Sequence, residues 1–220
     1  MTTSSLGDVE IVVRTIAQTA VDNTTYFSEL DTVVGDGDFG YSLRSGFEVV
    51  LSDFDTLDRA NISAFLKRIS LIMLSKVGGT SGPIWGTAFL RASKAAGEKT
   101  ELSNADVIEL LRSAITGIME RGGASLGEKT LLDALVPAVD VLEADLADPA
   151  TAGAAGADAL QHAADTAVKA AEDTTPMLAM RGRAAYTGER SIGSPDAGAV
   201  AIGVIFQAVS AAWRDAHGGR

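Results

Sequence analysis

Apolar residues recur along this chain at the three- and four-residue intervals of helices. Val9, Val12, Val13, Ile16 and Ala20 predict a first helix from about Asp8 toward Phe27. Leu43, Phe47, Val50, Leu51 and Phe54 repeat the pattern in a second, with Asp38 placed as its N-cap. Ile62, Phe65, Leu66, Ile69, Ile72 and Met73 define a third, capped by Asn61 and closing at Gly78-Gly79, and a fourth opens at Pro83. Ser103 with Asp106 forms a capping-box pattern, with Leu102 and Val107 as staple, before Val107, Leu111, Ile115 and Ile118; that helix stops at Gly122-Gly123. Thr130 and Asp133 make a similar start before Leu131, Leu135, Val139 and Leu142, where Pro137 is expected to bend the helix. Asp145 to Asp158 reads as a loose connection, and two last helices follow over about 159–179 and 198–216. The pattern predicts eight helices in one all-α domain spanning 1–220.

The glycine turns carry further information. Gly35 and Gly78 are 43 residues apart, Gly78 and Gly122 are 44 apart, and each interval holds two helices. In an up-and-down helical array, turns two helices apart fall at the same end. The three turns should therefore meet, and Arg181 to Gly198 should return to them.

Apolar residues make up 46% of the chain and aromatics 5%, so the expected core is mainly Ala, Leu, Val and Ile, which suits packed helices. A formal charge of −11 argues against nucleic acid as a partner. The absence of cysteine excludes disulfides and thiolate chemistry. Met1 to Ser5 lack the basic start and apolar run of a secretory signal, so a cytoplasmic protein is expected. The uncharged stretch Ala197 to Trp213 is nearly long enough to span a bilayer, but Gln207, Ser210 and its glycines favour a buried core helix.

Asp31, Asp36 and Asp38 place three carboxylates within eight residues, on a turn that Gly35, Gly37 and Gly40 allow to bend closely. Such a cluster repels itself unless a cation compensates it. Magnesium, a hard ion that takes carboxylates, water and phosphate oxygens together, is one solution, and a solvated acidic turn with caps is the other. The glycines match Gly-x-Gly-x-x-Gly, yet a helix precedes them where a dinucleotide fold needs a strand. Val77 to Pro83 offers free amides, two hydroxyls and a helix N-terminus to an anion, without the lysine of a Walker loop. Arg121-Gly122-Gly123 and Gly127-Glu128-Lys129-Thr130 read as cap and start signals, with nucleotide contact as the alternative. Arg181 to Gly198 concentrates three arginines, four glycines and Asp196 before the last helix, and guanidinium groups suit phosphate. His162 and His217 suggest no catalytic pairing, and no residue here is assigned as catalytic.

Leu30 to Gly40, Ser75 to Thr87, Arg121 to Thr130 and Gly182 to Gly198 together resemble the nucleotide-binding L subunit (DhaL) of dihydroxyacetone kinases, over nearly the whole chain. The resemblance implies a barrel of eight antiparallel amphipathic helices, binding ADP or ATP at one end through two magnesium ions. It makes Asp31, Asp36 and Asp38 the metal ligands. It makes Phe39, Gly40, Tyr41, Ser42, Thr80, Ser81, Gly122, Leu131, Arg183, Asp196, Ala197 and Gly198 the nucleotide contacts. It further implies a K-type subunit that holds the ketone on its own histidine. In one of the family's two modes a phosphotransferase-system protein recharges bound ADP; in the other ATP is used directly. A homodimer is compatible with either, and neither nucleic acid nor a membrane is implied. Phe39 departs from the family, which usually has histidine there. Two alternatives remain: the ATP-binding domain of a fatty acid kinase, and a regulatory module that contacts a transcription regulator.

Overall fold

The computed structural model describes residues 3–147 and 155–218. Its elements are β1 (Ser4–Ser5), α1 (Leu6–Asp22), α2 (Thr24–Thr32), α3 (Phe39–Ser52), α4 (Ile62–Lys76), α5 (Ser81–Ala96), β2 (Glu101–Leu102), α6 (Asn104–Gly122), α7 (Leu132–Ala147), α8 (Ala155–Asp173) and α9 (Ala197–His217). Short 3₁₀ stretches cover Phe54–Thr56 and Ala184–Ser191.

Local chemistry accounts for most of the boundaries. Asn61 accepts from the Ala64 amide to start α4, and Ser103 with Asp106 completes a reciprocal capping box on α6. Gly123, left-handed at φ 58°, ends α6. Pro83 falls in the first turn of α5, where a missing donor costs nothing, although the helix opens at Ser81. Pro137 lies inside α7 without interrupting it.

Three expectations need correction. The first helix divides at Asn23, where side chains take up the last carbonyls: the Asn23 side-chain amide donates to the Thr19 carbonyl (2.9 Å) and the Thr24 hydroxyl to the Val21 carbonyl (2.6 Å). The described residues therefore hold nine α-helices rather than eight. The loose connection over 145–158 is shorter than expected: α7 continues to Ala147 and α8 already begins at Ala155, while 148–154 lie outside the described residues. The following helix stops at Asp173 rather than near 179, where the Thr174 hydroxyl donates to the Ala171 carbonyl (2.6 Å).

Eight helices form a closed wall. α1, α3, α4, α5, α6, α7, α8 and α9 each pack on the next, and α9 returns to α1, while α2 packs on α3 and α9. Successive wall helices joined by short connections run antiparallel, which places the N-termini of α3, α5, α7 and α9 at one end. At the other end β1 pairs antiparallel with β2, Ser4 opposite Leu102, and brings the starts of α1 and α6 together.

The interior has two characters. Phe27, Phe47, Phe54 and Phe65 are fully buried around α1, α3 and α4, a more aromatic core than composition suggested. Around α8 and α9 small residues let backbones approach: Ala163, Ala164 and Ala167 are fully buried, and a Cβ on Gly203 would lie 3.2 Å from the Val168 Cα. Between the helices an apolar cavity of about 320 Å³ is lined by residues such as Val12, Phe89, Leu111 and Phe206. α9 is long and apolar enough to cross a membrane by length and composition, and here it forms part of the wall with Ala199, Ala201, Ile202 and Ile205 buried.

Candidate nucleotide and metal site

Asp31 sits in the last turn of α2, and the chain folds back on it at once. The Gly35 amide donates to the Asp31 carbonyl (2.6 Å), and a Cβ on Gly35 would lie only 2.2 Å from Asp31 Oδ1, so no larger residue fits that turn. Gly37 is left-handed at φ 73°, which reverses the chain between Asp36 and Asp38. Asp38 precedes α3 as expected, but its carboxylate caps nothing: its backbone is already helical (φ −91°, ψ −9°), so the side chain is not aimed at the first amides. The carboxylate turns instead to its neighbours. One oxygen each from Asp31, Asp36 and Asp38 lie within 4.8 Å of one another.

The electrostatic consequence falls on Asp38. Partial burial, and then the charge of Asp31, push its carboxyl above the usual carboxylate range. The compensating charge present is Arg183, whose guanidinium contacts Asp36 and lies 3.3 Å from Asp38. Clustered hard oxygen donors, mutually repelling and half-open to solvent, fit a divalent cation such as magnesium.

Other turns complete a cavity of about 240 Å³ against this cluster. Gly78, Gly79, Thr80 and Ser81 join α4 to α5, Gly122 ends α6, and Asp196, Ala197 and Gly198 begin α9. Thr80 stands at the N-cap of α5 without using its hydroxyl for the cap; the Gly82 and Ile84 amides donate to the Gly78 and Thr80 carbonyls and Pro83 has no donor, so the Thr80 hydroxyl and the Ser81 amide are what this turn offers an anion. The three glycine turns and the arginine loop thus line one space, as their spacing required.

Twelve of the fifteen residues marked from the sequence line that cavity: Asp31, Asp36, Asp38, Phe39, Thr80, Ser81, Gly122, Leu131, Arg183, Asp196, Ala197 and Gly198. Gly40, Tyr41 and Ser42 do not. Gly40 is pressed against α2, where an added Cβ would meet the Thr24 carbonyl at 2.0 Å, and Tyr41 is 57% exposed. Phe39 serves two purposes, lining the cavity and packing its ring 6.1 Å from that of Phe27.

Asp196 and Lys129 form the polar floor. The Asp196 carboxylate accepts from the Ala199 amide (2.7 Å), capping α9. Burial pushes its carboxyl up to about 7, against the lowering by that amide; Asp133 raises it further and Lys129 opposes. Asp133, which is buried, accepts from the Gly127 and Thr130 amides (2.5 and 2.7 Å), so the start of α7 is a one-sided version of the expected box. Lys129 was visible only as part of a helix-start signal; its burial follows from contacts 46 to 65 residues away.

Residues 33–211 match the family model described as the DAK2 domain. The chain is 35% identical to the PEP-dependent dihydroxyacetone kinase, ADP-binding subunit DhaL, of Escherichia coli, over 86% of this chain and 89% of that one. It is 35% identical to the PTS-dependent dihydroxyacetone kinase, ADP-binding subunit DhaL, of Lactococcus lactis, over 84% and 86%. Among solved structures, the dihydroxyacetone kinase of C. freundii in complex with AMP-PNP and Mg2+ superposes with a TM-score of 0.73 at 27% identity, covering 96% of this chain. The chain spans 35% of the length of that kinase.

Proposed function

The chain belongs to the DAK2-domain family, and on that premise we propose that it is the ADP- or ATP-binding subunit of a dihydroxyacetone-type ketose kinase. It acts in the cytoplasm with a separate K-type subunit that holds the ketone. The observation that carries this reading is the meeting of Asp31, Asp36, Asp38 and Arg183 on one cavity with Thr80 and Ser81 at the start of α5.

Asp31, Asp36 and Asp38 would hold magnesium, two ions in our reading, which would neutralise the phosphates when bound. The Ser81 amide at the start of α5, with the Thr80 and Ser81 hydroxyls, orients the phosphate chain, and Arg183 offers its guanidinium to the transferring group. Leu131 and the neighbouring apolar wall exclude water. Bound nucleotide would supply its terminal phosphoryl group to a hydroxyl of the ketone held on the partner, with the hydroxyl proton passing to a base outside this chain and the nucleoside diphosphate remaining here. Positioning and charge neutralisation are the whole contribution of this subunit. The relatives matched over most of both chains carry PEP- or PTS-dependent names, which favours bound ADP recharged by a phosphotransferase-system protein.

The test is direct. Nucleotide released by denaturing the purified protein is identified chromatographically, and Mg·ADP binding is measured with and without chelator. The protein is then mixed with a K-type subunit and dihydroxyacetone or erythrulose, with ATP in one tube and a phosphoenolpyruvate relay in the other. Magnesium-dependent ADP binding and phosphorylation in the relay tube are expected. Absence of nucleotide binding would overturn the proposal, and phosphorylation with ATP alone would overturn the relay.

A further inference from the structure

Lys129 combines two costly features. It is 3% exposed, and its backbone is left-handed at φ 61°, a region that residues with a Cβ rarely adopt. Its ammonium is met by main-chain carbonyls: Nζ donates to Ser194 (2.6 Å), to Ser191 and to Met177 (3.1 Å), with Thr175 at 3.5 Å. An ammonium has three protons, so these acceptors commit all of them and leave none for a phosphate.

The placement of those carbonyls is informative. Thr175 and Met177 belong to the outgoing arm of the segment between α8 and α9, whereas Ser191 and Ser194 belong to its returning arm. Arg183 projects from between the arms and contacts Asp36 and Asp38. Main-chain ties between the arms are few; the Gly193 amide donates to the Thr175 carbonyl (2.9 Å). Beside Lys129, Glu128 grips the same segment through a two-pronged pair with Arg181 (2.6 and 2.8 Å).

We propose that Lys129 is a positioning residue: its ammonium clasps the neck of the 175–194 segment and so holds Arg183 over the aspartate cluster, acting on nucleotide through Arg183. This rests on the nucleotide-binding reading above. A direct phosphate contact by Lys129 is the competing role, and a double-mutant cycle separates the two, because groups acting through one another are not additive.

The experiment uses Lys129→Met, which keeps the stem without donors, Lys129→Gln, which keeps two N–H donors, Arg183→Ala, and the Lys129→Met/Arg183→Ala pair. Hydrogen exchange over 175–194 is read without nucleotide, Mg·ADP affinity by calorimetry, and helicity by circular dichroism. Lys129→Met should speed exchange in the segment about tenfold while helicity and a cooperative melt persist. It should weaken Mg·ADP about tenfold, the scale of losing a residue that orients a ligand-contacting group, with Lys129→Gln in between. The double variant should bind no more weakly than Arg183→Ala alone. Unchanged exchange, additive losses in the double variant, or collapse of helicity in both Lys129 variants would each overturn the clasp. A wild-type protein that binds no ADP overturns the functional reading, while the exchange measurement still decides the clasp.

Discussion

Where α1 and α6 begin, each first-turn aspartate is consumed by its own helix. Asp8 accepts from the Ser5 amide (2.7 Å) and Asp106 from the Ser103 amide (2.9 Å), each within a completed capping box. Burial raises the Asp8 carboxyl, but the Ser5 hydrogen bonds and His217 outweigh it and the net shift is downward. Lys99 first, then Ser103, draw Asp106 down to about 2. At the opposite end Asp38 stands at the N-cap of α3, where Ser5 and Ser103 stand in the other two helices, yet it caps nothing and is pushed up beside Asp31. One residue type thus has two fates. A carboxylate satisfied locally stabilises the fold, whereas one turned toward its own kind leaves charge for a ligand to satisfy.

The sharpest way to break this contrast is Asp36→Ala. Removing a proposed metal ligand should weaken Mg·ADP by more than the roughly 10–100-fold typical of losing an outer-sphere partner. Because it also relieves repulsion, the melting temperature without metal should stay level or rise. Undiminished binding by calorimetry would end the case for a metal bridge.

A smaller effect is expected at Asp196, on the same end but half-buried. Its folded value of about 7 lies above the ordinary 3.8, so the folded state favours the proton. The sign follows: stability from this group is complete below about 3.8 and is lost as pH rises through 7. Asp196→Asn can still cap α9 and removes that slope. Urea denaturation should find the Asn variant ahead of wild type at pH 8 by at least about 1 kcal/mol, with the gap closing near pH 4.

The smallest effect belongs to the satisfied end. Ser5→Ala should cost about 1 kcal/mol, as for other serine N-caps. That lowers the melting temperature by roughly 2–4 °C for a chain of this size. Mg·ADP affinity should not change, and a variant that lost affinity would show that the two ends are not independent.

What could be read without the fold follows the range of each interaction. Asn61 on Ala64, Ser103 with Asp106, and Gly123 after α6 act within three or four residues, and periodicity located each of them. The break at Asn23 was hidden because the apolar stripe continues across it to the buried Phe27. Twelve of the marked residues share a cavity because turn spacing and motif resemblance both reach across elements; Gly40, Tyr41 and Ser42 missed it because contiguity in sequence carries side chains around a helix, away from any one face. Lys129 gave no sign of its clasp, since its acceptors are carbonyls, which every residue has.

By itself the sequence determined the helices, most of their caps, the shared end of the glycine turns and the residue types offered there, because helical periodicity and capping are local and turn spacing counts helices. Only the tertiary structure decided that α9 closes on α1, that Asp38 abandons its cap for Asp31 and Asp36, and that a buried ammonium holds the arginine loop across the site. Those outcomes depend on desolvation and charge between groups far apart in the chain, and such energies exist only once packing has removed the water between them.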